Sequence, residues 1–514
     1  MALYSALLDP AAYPHPVAQP IQMIQTHISV VFLTGEFAYK LKKPVNFGFL
    51  DFSTLNQRHH FCQEEVRLNQ RGAPELYLGV VPIALEGTSV SVGGVGTPID
   101  YAVQMRQFDQ NQLFSALLEP DVKQGQLSPR LHSTDLVQLG HVVAEFHRKA
   151  FTNERIQHFG RVAQIKAAID DNYQQTESFI GGPQTAQQFQ ETKAFSDRFF
   201  SHHSDWLEQR QANGSIRECH GDLHLRNICY WQGNIQLFDC IEFNEPFRFV
   251  DVMYDVAFTV MDLDARQRPD LGTIFLNTYL EDTGDWDGCC VLPLYLSRQA
   301  YVRAKVQSFL STDTQLSPTE RDVATRTAAM YYQLAWHYTQ PQQGKLWVMS
   351  GLSGSGKSTL ARKLAPRVKA IHLRSDAVRK HLAGIDLYQR GEATLYTAEM
   401  TEKTYQRLIE LGIMLAQQGY PVILDAKFDQ QHWRREAIAQ ASANHLPLKI
   451  LHCTAPIETV RDRLIHRQGD ITDATVELLE HQMTSAEPFT AEALTYVQHI
   501  DTSHPLATIV ESLI

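Results

Sequence analysis

Apolar and polar positions repeat along this chain with two different periods, and the change of period divides it. His27 to Leu33 and Phe37 to Lys43 read as two strands, and Thr34-Gly35-Glu36 supplies the turn between them. Phe52 to Gln70 reads as a helix, and Tyr77 to Leu85, Ser89 to Val92 and Ile99 to Phe108 as strands. This start is expected to form a small, mostly antiparallel lobe with one helix. From Asp135 to Ala150, the residues Leu136, Leu139, Val142, Val143 and Phe146 recur at helical spacing. Helical patterns then continue to about His337, broken at Glu218 to Phe243 by a polar stretch that runs into a strand.

Thr339-Gln340-Pro341-Gln342-Gln343-Gly344 is polar, contains Pro and Gly, and separates a helix from a new strand. Beyond it, short apolar strands at Leu346 to Ser350, Ala370 to Leu373, Val422 to Leu424 and Leu448 to Leu451 alternate with helices. One of these is long, with Met400, Thr404, Leu408, Leu411 and Leu415 on one face. Such alternation predicts a parallel sheet covered on both faces. The chain is therefore divided into an N-terminal extension (1–21), a first domain (22–338), a linker (339–345) and a second domain (346–514).

Composition narrows the classes. The 514 residues are 44% apolar and carry a formal net charge of −11, which suits a folded protein with small-molecule ligands and argues against a nucleic-acid clamp. The seven cysteines show no zinc-ligand spacing, so a reducing compartment is expected. The N-terminus lacks signal-peptide features and no apolar run is long enough to span a bilayer; the cytoplasm is the expected location, without a membrane partner.

The most specific motif is Gly351-Leu352-Ser353-Gly354-Ser355-Gly356-Lys357-Ser358, followed by Thr359, between an apolar strand and a helix. It fits G-x-x-x-x-G-K-[ST], in which backbone N–H groups cradle the phosphates of a nucleotide, ATP or GTP. Lys357 is expected on the β- and γ-phosphates and Ser358 on Mg²⁺. Val422-Ile423-Leu424-Asp425 ends an apolar strand in a carboxylate, a second Mg²⁺ ligand. In Ser375-Asp376-Ala377-Val378-Arg379, Asp376 is a candidate base for an acceptor hydroxyl and Arg379 a candidate anion contact; the plainer alternative is a helix cap. Arg461, Arg463 and Arg467 lie on one helix, and Arg463 and Arg467 share a face, either to close over phosphates or as a solvated charged face. From Leu346 onward these segments resemble the small P-loop kinases, among them gluconate kinase, chloramphenicol phosphotransferase, the kinase domain of polynucleotide kinase and zeta toxin.

A second constellation precedes it. His220-Gly221-Asp222-Leu223-His224-Leu225-Arg226-Asn227 and a later Asp239 at the end of an apolar strand match H-x-D-x-x-x-x-N plus aspartate. Asp222 is the expected base, and Asn227 and Asp239 the expected Mg²⁺ ligands. His220 and His224 as metal ligands on a helix is the alternative, disfavoured by Gly221. Upstream, Lys40 fits the phosphate-binding lysine best, with Lys42 on the same strand face as competitor; Glu64 or Glu65, with Glu65 preferred, pairs with it. From about Gln22 to Tyr338 the chain resembles the aminoglycoside phosphotransferase and choline kinase-like family, with Asp255 as that family's helical, structural aspartate. It departs from protein kinases: the first hairpin offers only Gly35, and Cys240-Ile241 stands where Phe-Gly would follow the aspartate.

The tandem order resembles bacterial proteins described as bifunctional aminoglycoside phosphotransferase/ATP-binding protein or AAA-family ATPase. It implies an α+β kinase-like bilobal domain followed by an α/β P-loop domain with a parallel sheet. The implied activity is a bifunctional ATP- and Mg²⁺-dependent phosphotransferase with two nucleotide sites and small-molecule acceptors. Two alternatives stand beside it: one catalytic half with a nucleotide-sensing partner half, and a nucleic-acid end kinase, which the acidic balance disfavours. Glu242, Glu245, Asp251, Asp262 and Asp264 form an acidic stretch, either suited to a cationic acceptor or simply a solvated surface.

Overall fold

The computed structural model describes residues 2–119, 130–466, 471–472 and 476–514. They form two compact units, one of Met1–His132, Glu145–Ala168 and His202–Asp262, the other of Ser133–Ala144, Ile169–Ser201 and Leu263–Ile514.

The first unit is built on a six-stranded antiparallel sheet. Its strands are β1 (Gln22–Gln25), β2 (Ser29–Leu33), β3 (Phe37–Lys42), β4 (Tyr77–Glu86), β5 (Ser89–Val92) and β6 (Thr97–Arg106), in the order β1-β2-β3-β6-β4-β5. Alternation works as expected: Val30 and Phe32 of β2 and Tyr39 and Leu41 of β3 enter one core, which Leu7, Ala12, Tyr13 and Ile21 complete. The helix Leu55–Asn69 begins at a capping box formed by Thr54 and Gln57. Cys62 of that helix packs with Tyr77 and Val103 in a second core.

Strand β1 corrects the sequence reading. Its four residues, Gln-Met-Ile-Gln, are all exposed and carry no buried alternation. The first hairpin therefore turns at Thr26–Ser29, and Gly35 belongs to the second. In the first turn the amides of Ile28 and Ser29 donate to Thr26 Oγ1 at 3.3 and 3.0 Å.

The same unit holds two short pairs, β7 (Ile216–Glu218) with β10 (Phe249–Asp251), and β8 (Ile228–Trp231) with β9 (Asn234–Leu237). Gln232 and Gly233 join β8 to β9 with φ of 49° and 83°, the left-handed pair that a two-residue hairpin requires. Register follows from the turn: Ile228 faces Leu237, so Asn227 and Phe238 meet at the open end.

The second unit contains a five-stranded parallel sheet of β11 (Lys345–Ser350), β12 (Ile371–Arg374), β13 (Pro421–Asp425), β14 (Leu448–Thr454) and β15 (Val497–Asp501), ordered β12-β13-β11-β14-β15. Trp347, Met349, Ile423 and Leu451 pack with Leu360 and Leu364 of the helix Lys357–Val368. Helices on both faces explain why these strands read as continuous apolar runs. Strand β15 and the helix Leu506–Leu513 were not read from the sequence. At the opposite edge, the helix Pro269–Thr283 covers β12. Asn277 Nδ2 donates to Ala370 O at 2.9 Å, and the His372 amide donates to Asn277 Oδ1 at 2.8 Å, so one side chain pairs the edge. Among the described residues no helix is long and apolar enough to cross a membrane.

Leu364, on the inner face of the P-loop helix, is fully buried. Leu364→Ala is expected to cost about 2–5 kcal/mol of unfolding free energy, measured by denaturant titration.

Candidate active sites

In the first unit, Lys40 and Lys42 point to the same side of β3 because residues two apart share a strand face. Both meet Glu65, from the helix Leu55–Asn69: Lys40 Nζ lies 2.8 Å from Oε1 and Lys42 Nζ 2.7 Å from Oε2. Lys40 also lies 2.5 Å from Asp239 Oδ1, and Lys42 pairs with Glu242. Glu64, one residue earlier, faces outward to Arg67 at 2.8 Å. The two lysines are thus not alternatives; one carboxylate serves both. Burial opposes the charge on Lys40, and Asp239 and Glu65 outweigh it, holding its pKa well above the ordinary lysine range. For Glu65 burial works upward, while Lys40 and Lys42 pull its pKa below the usual carboxylate range.

The hairpin β8–β9 carries the remaining groups. Phe238 N donates to Asn227 O at 3.0 Å, which sets Asn227 next to the residue preceding Asp239. Asn227 Nδ2 donates to Asp222 O at 3.0 Å and to Asp222 Oδ2 at 3.2 Å. Asp239 adopts φ of 63°, an unusual conformation for a non-glycine residue, and its amide donates to Tyr77 Oη at 3.2 Å. Asp255, fully buried in the helix Val252–Ala265, accepts from the amides of His220 and Gly221 at 2.7 and 2.9 Å. It pins the turn that presents Asp222. His220 Nε2 lies 2.9 Å from Phe238 O, and His224 Nδ1 accepts from the Arg226 amide at 3.2 Å, so both rings are engaged with the backbone.

In the acidic stretch after Asp239, Glu242, Asp251 and Asp262 are buried, and all five carboxylates have partners. Glu242 is taken by Lys42 and Asp251 by Arg210 at 2.5 Å. Asp262 accepts from the Leu225 amide at 3.0 Å, and Asp264 from Tyr338 Oη at 2.6 Å. Glu245 pairs with Arg155.

In the second unit the P-loop leaves β11 with Gly351, Gly354 and Gly356 at φ of 132°, 80° and 91°. A Cβ on Gly351 would lie 2.3 Å from Cys453 O, so glycine is required there. The loop ends at the N-terminus of the twelve-residue helix Lys357–Val368, where backbone amides and the helix dipole favour an anion. Leu352 packs against Val460 and Leu464. Lys357 Nζ donates to Leu352 O at 2.7 Å and the Ser353 amide to Gln482 Oε1 at 3.0 Å. Ser355 Oγ is buried with no hydrogen-bond partner among the described residues, a polar group suited to an incoming phosphate oxygen.

A cavity of about 1310 Å³ opens beside this loop. Ser353, Gly354, Gly356, Lys357, Ser358 and Thr359 border it, as do Asp376, Asp425 and Arg463. Asp425 ends β13, next to β11, and His372 Nε2 of β12 lies 3.0 Å from its Oδ2. Burial would raise the Asp425 pKa; the bond to His372 and the charges of Arg374 and Lys357 hold it below the ordinary value. Asp376 follows β12 in the helix Ser375–Ala383. Burial lifts its pKa above the ordinary value, against the pull of Arg374 and Arg379. Arg374 itself lies 3.1 Å from Glu281. Arg463 turns back to the loop, donating to Thr502 Oγ1 at 3.0 Å and Thr502 O at 2.9 Å, whereas Arg461 pairs with Glu458 at 3.5 Å on the surface. Arg467 lies outside the described residues. His372, Gln482 and Thr502 gave no signal in the sequence, because each joins the site from a distant segment.

A phosphate cradle between the central strand of a parallel sheet and a helix N-terminus defines a P-loop domain. The family described as AAA domain matches residues 346–489. The protein Rv2004c of Mycobacterium tuberculosis (strain ATCC 25618 / H37Rv) is 30% identical over 470 residues, 90% of each chain. The chain belongs to the same family as that protein. Among solved structures, a gluconokinase from Sinorhizobium meliloti 1021 is 21% identical, covering 34% of this chain and 90% of its own, with a TM-score of 0.25. A choline/ethanolamine kinase family protein from Mesorhizobium loti is 11% identical, covering 66% and 99%, with a TM-score of 0.37.

Removing Glu65 takes one of two carboxylate partners from the buried Lys42 and from the mostly buried Lys40. Glu65→Ala is expected to cost roughly 3–5 kcal/mol in denaturant unfolding, whereas Glu64→Ala, at a partly exposed pair, costs about 1 kcal/mol or less.

Proposed function

We propose that this protein is an ATP-dependent phosphotransferase that moves the γ-phosphoryl group of ATP to a hydroxyl of a small molecule, and that its P-loop unit carries out this transfer. The observation that carries the reading is a single cavity bordered by the phosphate cradle, by Asp425 and by Asp376 together. Gly351 to Ser358 and Thr359 receive the phosphates, with Lys357 on the β- and γ-groups. Ser358 and Asp425 offer the hard oxygen donors that suit Mg²⁺, which would neutralise charge on the phosphates. Asp376 accepts the proton of the acceptor hydroxyl. The hydroxyl oxygen bonds to Pγ, the bond from Pγ to the β–γ bridging oxygen breaks, and ADP departs with that electron pair. Arg463, held beside Gly354, adds positive charge at the loop, and Arg467 is assigned the same task.

In the first unit Asp222 is assigned as base, Asn227 and Asp239 as Mg²⁺ ligands, and Lys40 with Glu65 as the phosphate contact, which makes the protein bifunctional. By activity the chain then divides at 339–345, with 22–338 and 346–514 as the two enzymes and 1–21 as an N-terminal extension. A second reading makes the first unit a nucleotide-sensing module. Two observations favour it: Lys40 is engaged by Asp239 at 2.5 Å, and the amides of the first hairpin turn are satisfied internally by Thr26. The net charge of −11 speaks against a nucleic-acid acceptor. The seven buried cysteines, none in a disulfide, support a cytoplasmic location.

Incubating the protein with ATP, Mg²⁺ and a metabolite extract, then measuring added phosphate by mass spectrometry, tests both readings. Lys357→Ala is expected to abolish one product and Asp222→Ala a different one. If Asp222→Ala leaves every product intact, the first unit is the sensor. The pH profile gives a further test. Burial raises the Asp376 pKa, so the ionised base is present only above that raised value. Turnover is expected to fall on the acid side at a pH above the ordinary aspartate value, and Asp376→Asn to remove the activity at every pH.

A further inference from the structure

The helix Pro269–Thr283 lies upstream of the linker at 339–345, yet it belongs to the compact unit that holds the parallel sheet. Asn277 fixes the backbone of β12 at Ala370 and His372. Glu281 follows four residues later, on the same face of the helix. Both ends of it are engaged. Its Oε1 lies 3.1 Å from Arg374 Nη1, and its carbonyl accepts from His381 Nε2 at 2.7 Å. Past the helix end, Asp287 pairs with Arg407 at 2.8 Å, and Cys289 O accepts from Tyr420 Oη at 3.1 Å. The segment from Asn277 to Cys289 therefore grips β12, the helix Ser375–Ala383, the helix Ala398–Gln417 and the residue before β13.

Arg374 links this grip to the chemistry. It is the last residue of β12, is 5% exposed, and borders the cavity with Asp376 and Asp425. Its charge pulls the pKa of both aspartates downward. A buried cation is shared among the anions within reach, and removing one of them strengthens its hold on the others. Glu281 is such an anion, and it does not border the cavity. It draws Arg374 outward from the two acids. Without Glu281, the guanidinium would turn further toward Asp376 and Asp425. A carboxylate gripped by a guanidinium takes up a proton less readily, and its oxygens are less available to other partners.

We propose that Glu281 is a positioning residue for phosphoryl transfer at the P-loop cavity: it holds Arg374 back from Asp376 and Asp425, so that those two acids serve the hydroxyl and the phosphates. The inference rests on the kinase reading of this unit. Glu281 stands outside 346–514, so the working P-loop enzyme includes the helix Pro269–Thr283 and is longer than its sequence motifs mark. The effect belongs to the chemical step. Glu281 does not border the phosphate cradle, and nucleotide affinity is set by Gly351 to Thr359.

Lys357-dependent consumption of ATP by the full chain in a metabolite extract, followed over a range of ATP concentrations, tests this. Calorimetry with Mg²⁺ and the non-hydrolysable analogue AMPPNP runs beside it. Glu281→Ala is expected to lower the maximal rate roughly tenfold, with the KM for ATP and the AMPPNP affinity unchanged within about twofold. Glu281→Asp, which keeps the charge, is expected to recover more of the rate than Glu281→Gln, which keeps only an acceptor. Arg374→Met is expected to lower the rate as well, and adding Glu281→Ala to it to change the rate by no more than about twofold, because one acts through the other. Asp282→Ala removes the next carboxylate of the same helix and its pair with His141 at 2.6 Å, and is expected to stay within about twofold of the wild-type rate. An unchanged rate in Glu281→Ala, an equal loss in Asp282→Ala, or fully additive losses in the double variant overturn the proposal. So does a loss of AMPPNP affinity in Glu281→Ala that matches the loss of rate, which makes the residue a support of the fold alone. Absence of Lys357-dependent consumption in the wild-type chain removes the kinase reading itself, and the positioning role with it.

Discussion

A left-handed backbone at three glycines, between the central strand of a parallel sheet and the helix that follows, is the constraint on which the second unit depends. Gly351, Gly354 and Gly356 curl the chain so that its amides converge where an anion would sit. Their neighbours leave no room for a side chain: Cys453 O, Val460 O and Thr502 Oγ1 would each lie 2.9 Å or less from an added Cβ. Those atoms come from β14, from the helix Ile457–Ile465 and from the residue after β15. The cradle is thus shaped by elements a hundred residues downstream, and the strand order that gathers them is part of the site.

The same order distributes the chemistry. Parallel strands end on one edge, so the residues after β11, β13 and β12 stand side by side at the usual strand spacing. The phosphate cradle, Asp425 and Asp376 follow in that sequence. Strand β12 then sets their electrostatics. His372 bonds to Asp425, and Arg374, held by Glu281, lowers both acids. The Asp425 pKa is thereby held below the ordinary value, while burial raises that of Asp376, so the environment separates two neighbouring aspartates.

In the first unit the organising fact is that three carboxylates surround two lysines of one strand face. Glu65 is shared between Lys40 and Lys42, Glu242 completes Lys42, and Asp239 completes Lys40. The lysines are fixed by β3, Glu65 by the following helix, and Asp239 by the β8–β9 hairpin. One ion-pair network therefore joins three segments far apart in sequence and holds the Asp222–Asn227 turn beside them through Phe238.

The sequence by itself determined the local elements and the motifs. The apolar runs of β2 and β3 on either side of a turn, the P-loop between β11 and its helix, and the H-x-D-x-x-x-x-N turn all depend on neighbours within a few positions, where spacing is the physics. Only the tertiary structure decided how partners at long range are assigned. Strand β1 was illegible because it is wholly exposed, and β15 because nothing local marks five residues as the edge of a sheet. Glu65 as partner of both lysines and the burial of Glu242, Asp251 and Asp262 rest on packing between distant segments. The reason is physical: a charge's energy depends on what surrounds it in space, and chain spacing fixes only the few residues on either side.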